Sequence, residues 1–158
     1  MFRELARKKQ QLSDEECFRI LETETRGVLS VNGDGGYPYA MPMNHYFCPE
    51  DGKIYFHSGR RGHRTEALLR DPRVCYCVYD RGYKNEGHWA WNVKSVVVFG
   101  KIEITDDAET VRRICEPLSR KFTDDENYIR TEIRESSKNT LILCLTPEHI
   151  CGKLVNEA

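Results

Sequence analysis

No stretch of this chain approaches the roughly 20 consecutive apolar residues of a membrane-spanning helix. Its opening run, Met1-Phe2-Arg3-Glu4-Leu5-Ala6-Arg7-Lys8-Lys9, lacks the apolar core of a signal peptide. A cytoplasmic protein without a membrane partner is therefore expected. Net charge is nearly absent too: 24 Lys and Arg stand against 25 Asp and Glu, leaving -1. A dedicated nucleic-acid binder would show a strongly basic balance, so none is expected here. The seven cysteines are scattered and odd in number, unlike a secreted disulfide framework. Reduced thiols, most of them packed in the core, are the simplest reading. Repeats, low-complexity tracts and an interdomain linker are all missing. A single domain over 13–158 follows, preceded by a charged arm at 1–12. A chain of 158 residues buries enough core to need no metal or disulfide staple.

Several catalytic signatures are also lacking. There is no Gly-x-x-x-x-Gly-Lys-[Ser/Thr] phosphate loop and no His-Glu-x-x-His zinc motif. No Gly-x-Ser-x-Gly elbow supports a serine hydrolase. Cys75 and Cys77 share one face of a strand, but a zinc site needs two further ligands at sensible spacing and none is near. Core or interface packing is the reading for that pair, and no metal is expected. The five histidines, His45, His57, His63, His88 and His149, form no ligand pattern.

What is present is a punctuated series of short apolar segments. Ser13-Asp14-Glu15-Glu16 is a capping box, with Leu12 and Cys17 placed as a hydrophobic staple. Cys17, Phe18, Ile20 and Leu21 recur at helical spacing, which predicts a helix near 14–24. Strands are predicted at 27–31, 37–47 and 53–58, separated by the turns Asn32–Gly36 and Pro49–Gly52. Pro38 and Pro42 mark the second as an edge or bulged strand. A short helix at 62–71 ends at Asp71-Pro72, and a strand follows at 74–79. Residues 80–91 form a loop carrying Trp89 and Trp91. These either flank a planar ligand or cover the core, and packing is expected for at least one. A long strand at 93–104 carries Gly100 as a bulge signal. Ala108, Val111, Ile114, Cys115 and Leu118 give an amphipathic helix over 106–121. Thr123–Glu126 is a second capping box, opening a helix near 124–136. Two last strands lie at 141–145 and 149–155. The pattern predicts an α+β fold: an antiparallel split β-barrel of about six or seven strands with flanking helices.

One turn stands out chemically. In Ser58-Gly59-Arg60-Arg61-Gly62-His63-Arg64, the glycines let backbone approach an anion, and the arginines and the Ser58 hydroxyl suit a phosphate. Turn amides and the following helix start add to this. An exposed basic turn is the plain competing reading.

Taken in order, Arg26-Gly-Val-Leu-Ser-Val, Tyr37-Pro-Tyr-Ala-Met-Pro-Met-Asn, Ile54-Tyr-Phe-His-Ser, Gly62-His-Arg, Arg73-Val-Cys-Tyr-Cys-Val and Ser95-Val-Val-Val-Phe-Gly-Lys-Ile resemble the pyridoxamine 5′-phosphate oxidase-like split-barrel flavoproteins. Within them the chain looks most like the nitroimidazole-resistance branch. The resemblance implies a homodimer with FMN at each subunit interface. It places Met41, Pro42, Met43 and Asn44 along the flavin ring, and His57 and Ser58 beside the ribityl-phosphate. It sets Gly62, His63 and Arg64 at the phosphate, and Ser95 and Val96 next to the flavin, from the other subunit in some members. The family usually has lysine where Arg64 stands, and often tyrosine where Val93 stands. The substrate region and C-terminal arginine-rich motif of true pyridoxamine-phosphate oxidases are not evident.

The implied chemistry is an FMN-dependent oxidoreductase of small, planar, electron-poor compounds, nitroreductase-like, with NADH or NADPH as donor. His45 and Tyr46 are candidates for proton donation, although a structural role is the plainer reading of both. Two alternatives share the fold: a non-catalytic flavin or haem binder or sensor, and a deazaflavin-dependent reductase.

Overall fold

The computed structural model describes residues 2–156. Helix α1, Asp14–Thr23, starts as its sequence predicts: Glu16 N–H donates to Ser13 Oγ and Ser13 N–H to Glu16 Oε2, each at 3.2 Å. Its buried side is Cys17, Ile20 and Leu21. Strand β1, Arg26–Asn32, turns through a tight loop into β2, Pro38–Asn44. Strand β3, Tyr46–Cys48, precedes β4, Lys53–Gly59, and helix α2 covers His63–Arg70. Strand β5 is Arg73–Tyr79, β6 is the two-residue Tyr83–Lys84, and β7 is Trp91–Thr105. Helices α3, Ala108–Arg120, and α4, Glu126–Ser136, lead into β8, Thr140–Asn156.

All pairings are antiparallel, in the order β2-β1-β5-β7-β8-β4-β3, with β6 attached to β7. The α+β split barrel is thus confirmed. Its eighth strand, β6, is too short to have left a periodic signal. The predicted strand 37–47 is in fact two strands, broken at His45. Its halves lie at opposite ends of the sheet order: β2 pairs only with β1, and β3 only with β4. The sheet curls until its two free edges meet at His45. An edge position also explains why β2 tolerates Pro38 and Pro42, since their missing N–H groups face away from any ladder.

The two strands predicted at the C-terminal end are one. Pro147 does not break β8, because it sits opposite Gly100 where the β7/β8 register shifts. A side chain at Gly100 would run into the Thr146 carbonyl. Helix α4 is capped by Asp125 rather than Thr123. The Asp125 carboxylate accepts from the amides of Asn127 and Tyr128, each at 3.0 Å, and Thr123 Oγ1 accepts only from Asp125 N–H. A carboxylate can take both first-turn donors and the N-terminal end of the helix dipole. In α3, Val111, Ile114 and Leu118 are buried as predicted, while Ala108 in the first turn is exposed.

The main core joins α1 and α2 to the inner face of the sheet through Leu21, Leu29, Phe56, Leu68, Tyr76, Val78, Val96 and Val98. A smaller cluster under α3 holds Tyr55, Val111, Ile114 and Ile142. All seven cysteines are free thiols; Cys17, Cys48 and Cys144 are buried and the rest half-buried. Neither tryptophan enters the core. Trp89 is 73% exposed, and Trp91 is 42% exposed with the Lys84 ammonium 5.0 Å above its ring.

Candidate functional site

The end of β2 and the end of β4 come together where the sheet edges curl towards one another. Between them and the start of α2 lies a cleft of about 410 Å³. Gly62 precedes α2 with φ 124°, a conformation that side chains rarely adopt. This sharp entry lets Arg64, in the first turn of α2, reach back over β4 into the cleft.

The Arg64 guanidinium is poorly matched. Nη2 donates to Ser58 Oγ at 2.7 Å, and Nη1 lies 2.8 Å from the Met43 thioether sulfur. Its Nε is buried without a partner. Ser58 is itself buried and passes its own proton to the Gly59 carbonyl at 3.0 Å. A hydroxyl and a weak thioether acceptor cannot balance a buried charge. Among the described residues, no carboxylate pairs with Arg64, and burial pulls its pKa below the usual arginine range. The nearby His57 is exposed at the cleft but partly desolvated by its walls. That desolvation and then the Arg64 charge draw it below its ordinary pKa, which favours the neutral imidazole. Asn44 completes the wall: its Oδ1 accepts from Arg26 Nε at 2.8 Å, which fixes the amide and turns its NH₂ away from that contact.

The remaining predicted residues divide clearly. Pro42, Met43, Asn44, His57, Ser58 and Arg64 line the cleft together. Met41 is buried beside them in the core. Gly62 forms the helix start. His63 turns aside, stacked on Tyr39 with 4.2 Å between centroids and 3.4 Å from the Asp34 carboxylate, which Arg70 also grips at 2.6 Å. Ser95 sits half-exposed opposite Tyr79, and Val96 is wholly buried; neither joins the cleft within one chain. Of the other arginines in the turn, Arg60 is spent on Asp106 at 2.9 Å and on the Lys138 carbonyl. Arg26 is a wall residue that the sequence reading missed. The signal was available in the β1/β2 register, which pairs Arg26 with Asn44.

His45 does not face the cleft. It is fully buried at the seam where β2 ends and β3 begins. Nε2 lies 2.7 Å from the Leu21 carbonyl, which can only accept, so Nε2 carries the proton. Nδ1 then accepts from the Tyr76 hydroxyl at 2.8 Å. Burial, with the charge of Lys121, pushes the His45 pKa down to about 4. Tyr46 is half-buried and stacked on Tyr55, its pKa raised by burial.

Fold and site together define a split barrel with a half-buried guanidinium at the junction of its edges that, among the described residues, no carboxylate pairs. Residues 13–154 match the pyridoxamine 5′-phosphate oxidase family model, and the chain belongs to that family. Among solved structures it is similar to a candidate 5-nitroimidazole antibiotic resistance protein from Bacteroides thetaiotaomicron, at 21% identity and TM-score 0.76 over 92% of this chain and 87% of that one. It is similar to an FAD-binding protein from Mesorhizobium loti, at 26% identity and TM-score 0.64 over 92% and 97%. It also resembles an FAD and heme binding protein from Mycobacterium smegmatis, at 21% identity and TM-score 0.71 over 96% and 75%. No curated protein matches the chain.

Proposed function

We propose that this protein binds FMN and is an oxidoreductase of small, planar, electron-poor compounds, with NADH or NADPH as donor. The observation that carries the proposal is Arg64: a half-buried guanidinium with an orphaned Nε, no carboxylate partner, and a serine hydroxyl beside it. A phosphate dianion would supply what the protein withholds. Arg64 and Ser58 would hold that phosphate, and Pro42, Met43 and Asn44 would wall the ring. FMN ends in such a dianion, whereas the phosphates of FAD are bridging and singly charged. When bound, the flavin supplies the two-electron chemistry. The chain supplies position, a neutral imidazole at His57 and an amide donor at Asn44. The names of the Mesorhizobium and smegmatis proteins support a flavin, and the likeness to the Bacteroides protein supports nitroaromatic substrates and the nitroimidazole-resistance branch.

A homodimer belongs to the same proposal. The outer face of β1, β5, β7 and β8 is left half-exposed, and Val28, Cys75, Cys77, Val97 and Cys151 form an apolar centre on it. Among the described residues no α-helix covers that centre, although the N-terminal arm lays Phe2 on Phe99 and His149 at one end. Ser95 lies on this face and would reach a second subunit's cleft.

The test is the visible spectrum of the purified protein, before and after FMN and then NADPH. The expected result is a two-banded flavin spectrum that bleaches with reductant. Bound flavin that neither NADH nor NADPH bleaches would make the protein a carrier or sensor. A Soret band would move the case to haem, and a colourless protein indifferent to FMN would end the proposal.

A further inference from the structure

Next to the cationic cleft, and sharing Asn44 and His57 with it, lies a second cavity of about 240 Å³. Its other walls come from α3, α4 and the turns that flank them. Val111 and Leu118 form its apolar floor, and Phe122, Tyr128 and Ile133 its sides. These two helices have more apolar surface than the core uses. Phe122 remains 49% exposed and Tyr128 59% exposed, both facing this space. Glu132 also lines the space; it accepts from Ser136 Oγ at 2.9 Å and keeps its negative charge. At the inner end the polar groups are Asn44 and His57. Arg26 fixes the Asn44 carbonyl oxygen, so the NH₂ group is the part left to donate. His57 adds an imidazole whose neutral form is favoured by partial desolvation and by the Arg64 charge.

We infer that this cavity is the substrate seat: it takes a neutral planar ring, of one cycle or two fused, with a hydrogen-bond acceptor on the edge facing Asn44 and His57. The inference rests on the proposed reductase reading for its purpose, but the cavity's selectivity follows from its own walls. The size fits. An apolar cavity of about 150 Å³ holds benzene, and pockets for drug-sized ligands start near 300 Å³. The chemistry also fits. The apolar walls and the Glu132 carboxylate disfavour an anionic ring, and inner-end donors favour an acceptor such as a nitro or carbonyl oxygen. The arrangement places that acceptor edge, rather than the far side of the ring, at the boundary with the cleft.

The test uses nitrobenzene as probe and toluene as a ring of similar size without the acceptor. Binding of both is followed by ligand-observed NMR, with and without FMN. Two blocked variants, Ser119→Trp and Ile133→Trp, each push an indole into the cavity, and thermal melts identify a variant that fails to fold. Nitrobenzene is expected to bind at least fivefold more tightly than toluene. Either folded variant should weaken it at least tenfold, while FMN affinity moves less than twofold. Unchanged nitrobenzene binding in both folded variants overturns the inference, as does equal affinity for the two probes or no binding at all. If wild-type protein ignores FMN yet binds nitrobenzene in this blockable way, the flavin reading fails and the ring site stands.

Discussion

Arg64 is costly to the free protein, because a half-buried guanidinium without a counter-charge is disfavoured by solvation. That cost has a use only if an anion relieves it. Arg64→Ala should therefore weaken FMN by about 1.5–3 kcal/mol, the range for a hydrogen bond to a charged group. Riboflavin, which lacks the phosphate, should lose much less; fluorescence titration of both ligands checks this, and equal small losses would refute the phosphate role. His45 gives a second prediction at this scale. Its folded pKa of about 4 lies below the ordinary 6.5, so folding favours the neutral ring. Stability is then full above pH 6.5 and falls as the pH drops towards 4, by about 3 kcal/mol in all. His57, also depressed, acts in the same direction. Urea melts at pH 7 and pH 4.5 should show the loss, and His45→Phe should be less stable at pH 7 but flatter across the window. Arg64, Ser58 and Asn44, each inside a compact motif, come together in one cleft as the motifs suggest. The role of His45 does not show in the sequence, since Leu21 and Tyr76 are brought to it only by the closed sheet. The Arg60–Asp106 pair is hidden for the same reason: Asp106 is remote in sequence and reaches Arg60 only through the start of α3.

At the scale of elements, local chemistry was legible where it closed on itself. The capping box at Ser13 and the amphipathic faces of α1 and α3 are set by neighbours within a turn or two. The errors fall where pairing overrides local signals. The predicted gap between 145 and 149 is not a break: the register shift beside Gly100 carries β8 through Pro147. The run 37–47 carried no breaker at His45, so nothing local marked the change of partner strand. Two substitutions measure these features. Asp125→Ala should lose about 1 kcal/mol by removing the cap of α4, with a clearly smaller loss for Thr123→Ala, as read from thermal melts. Gly100→Ala should cost about 1–3 kcal/mol, because the new methyl group meets the Thr146 carbonyl; chemical denaturation checks it.

At the scale of the molecule, the half-exposed centre of the sheet's outer face makes a prediction that sequence periodicity hinted at only through the thiols of Cys75 and Cys77. Val97→Lys puts a charge at its centre, between Cys77 and Cys151. In sedimentation experiments wild-type protein should run as a dimer and the variant near the monomer mass of 18.4 kDa, with FMN affinity reduced as well. An unchanged dimer would show that subunits meet elsewhere. The seam at His45 has a consequence of its own. The single run 38–48 provides both outermost strands, so neither edge can dock finally without constraining the other. Both walls of the cleft, β2 and β4, flank that closure. A chain still folding therefore has no partly built pocket to offer: the ligand seat comes into being in the same step that shuts the barrel, and any ligand it captures acts as a latch on that step.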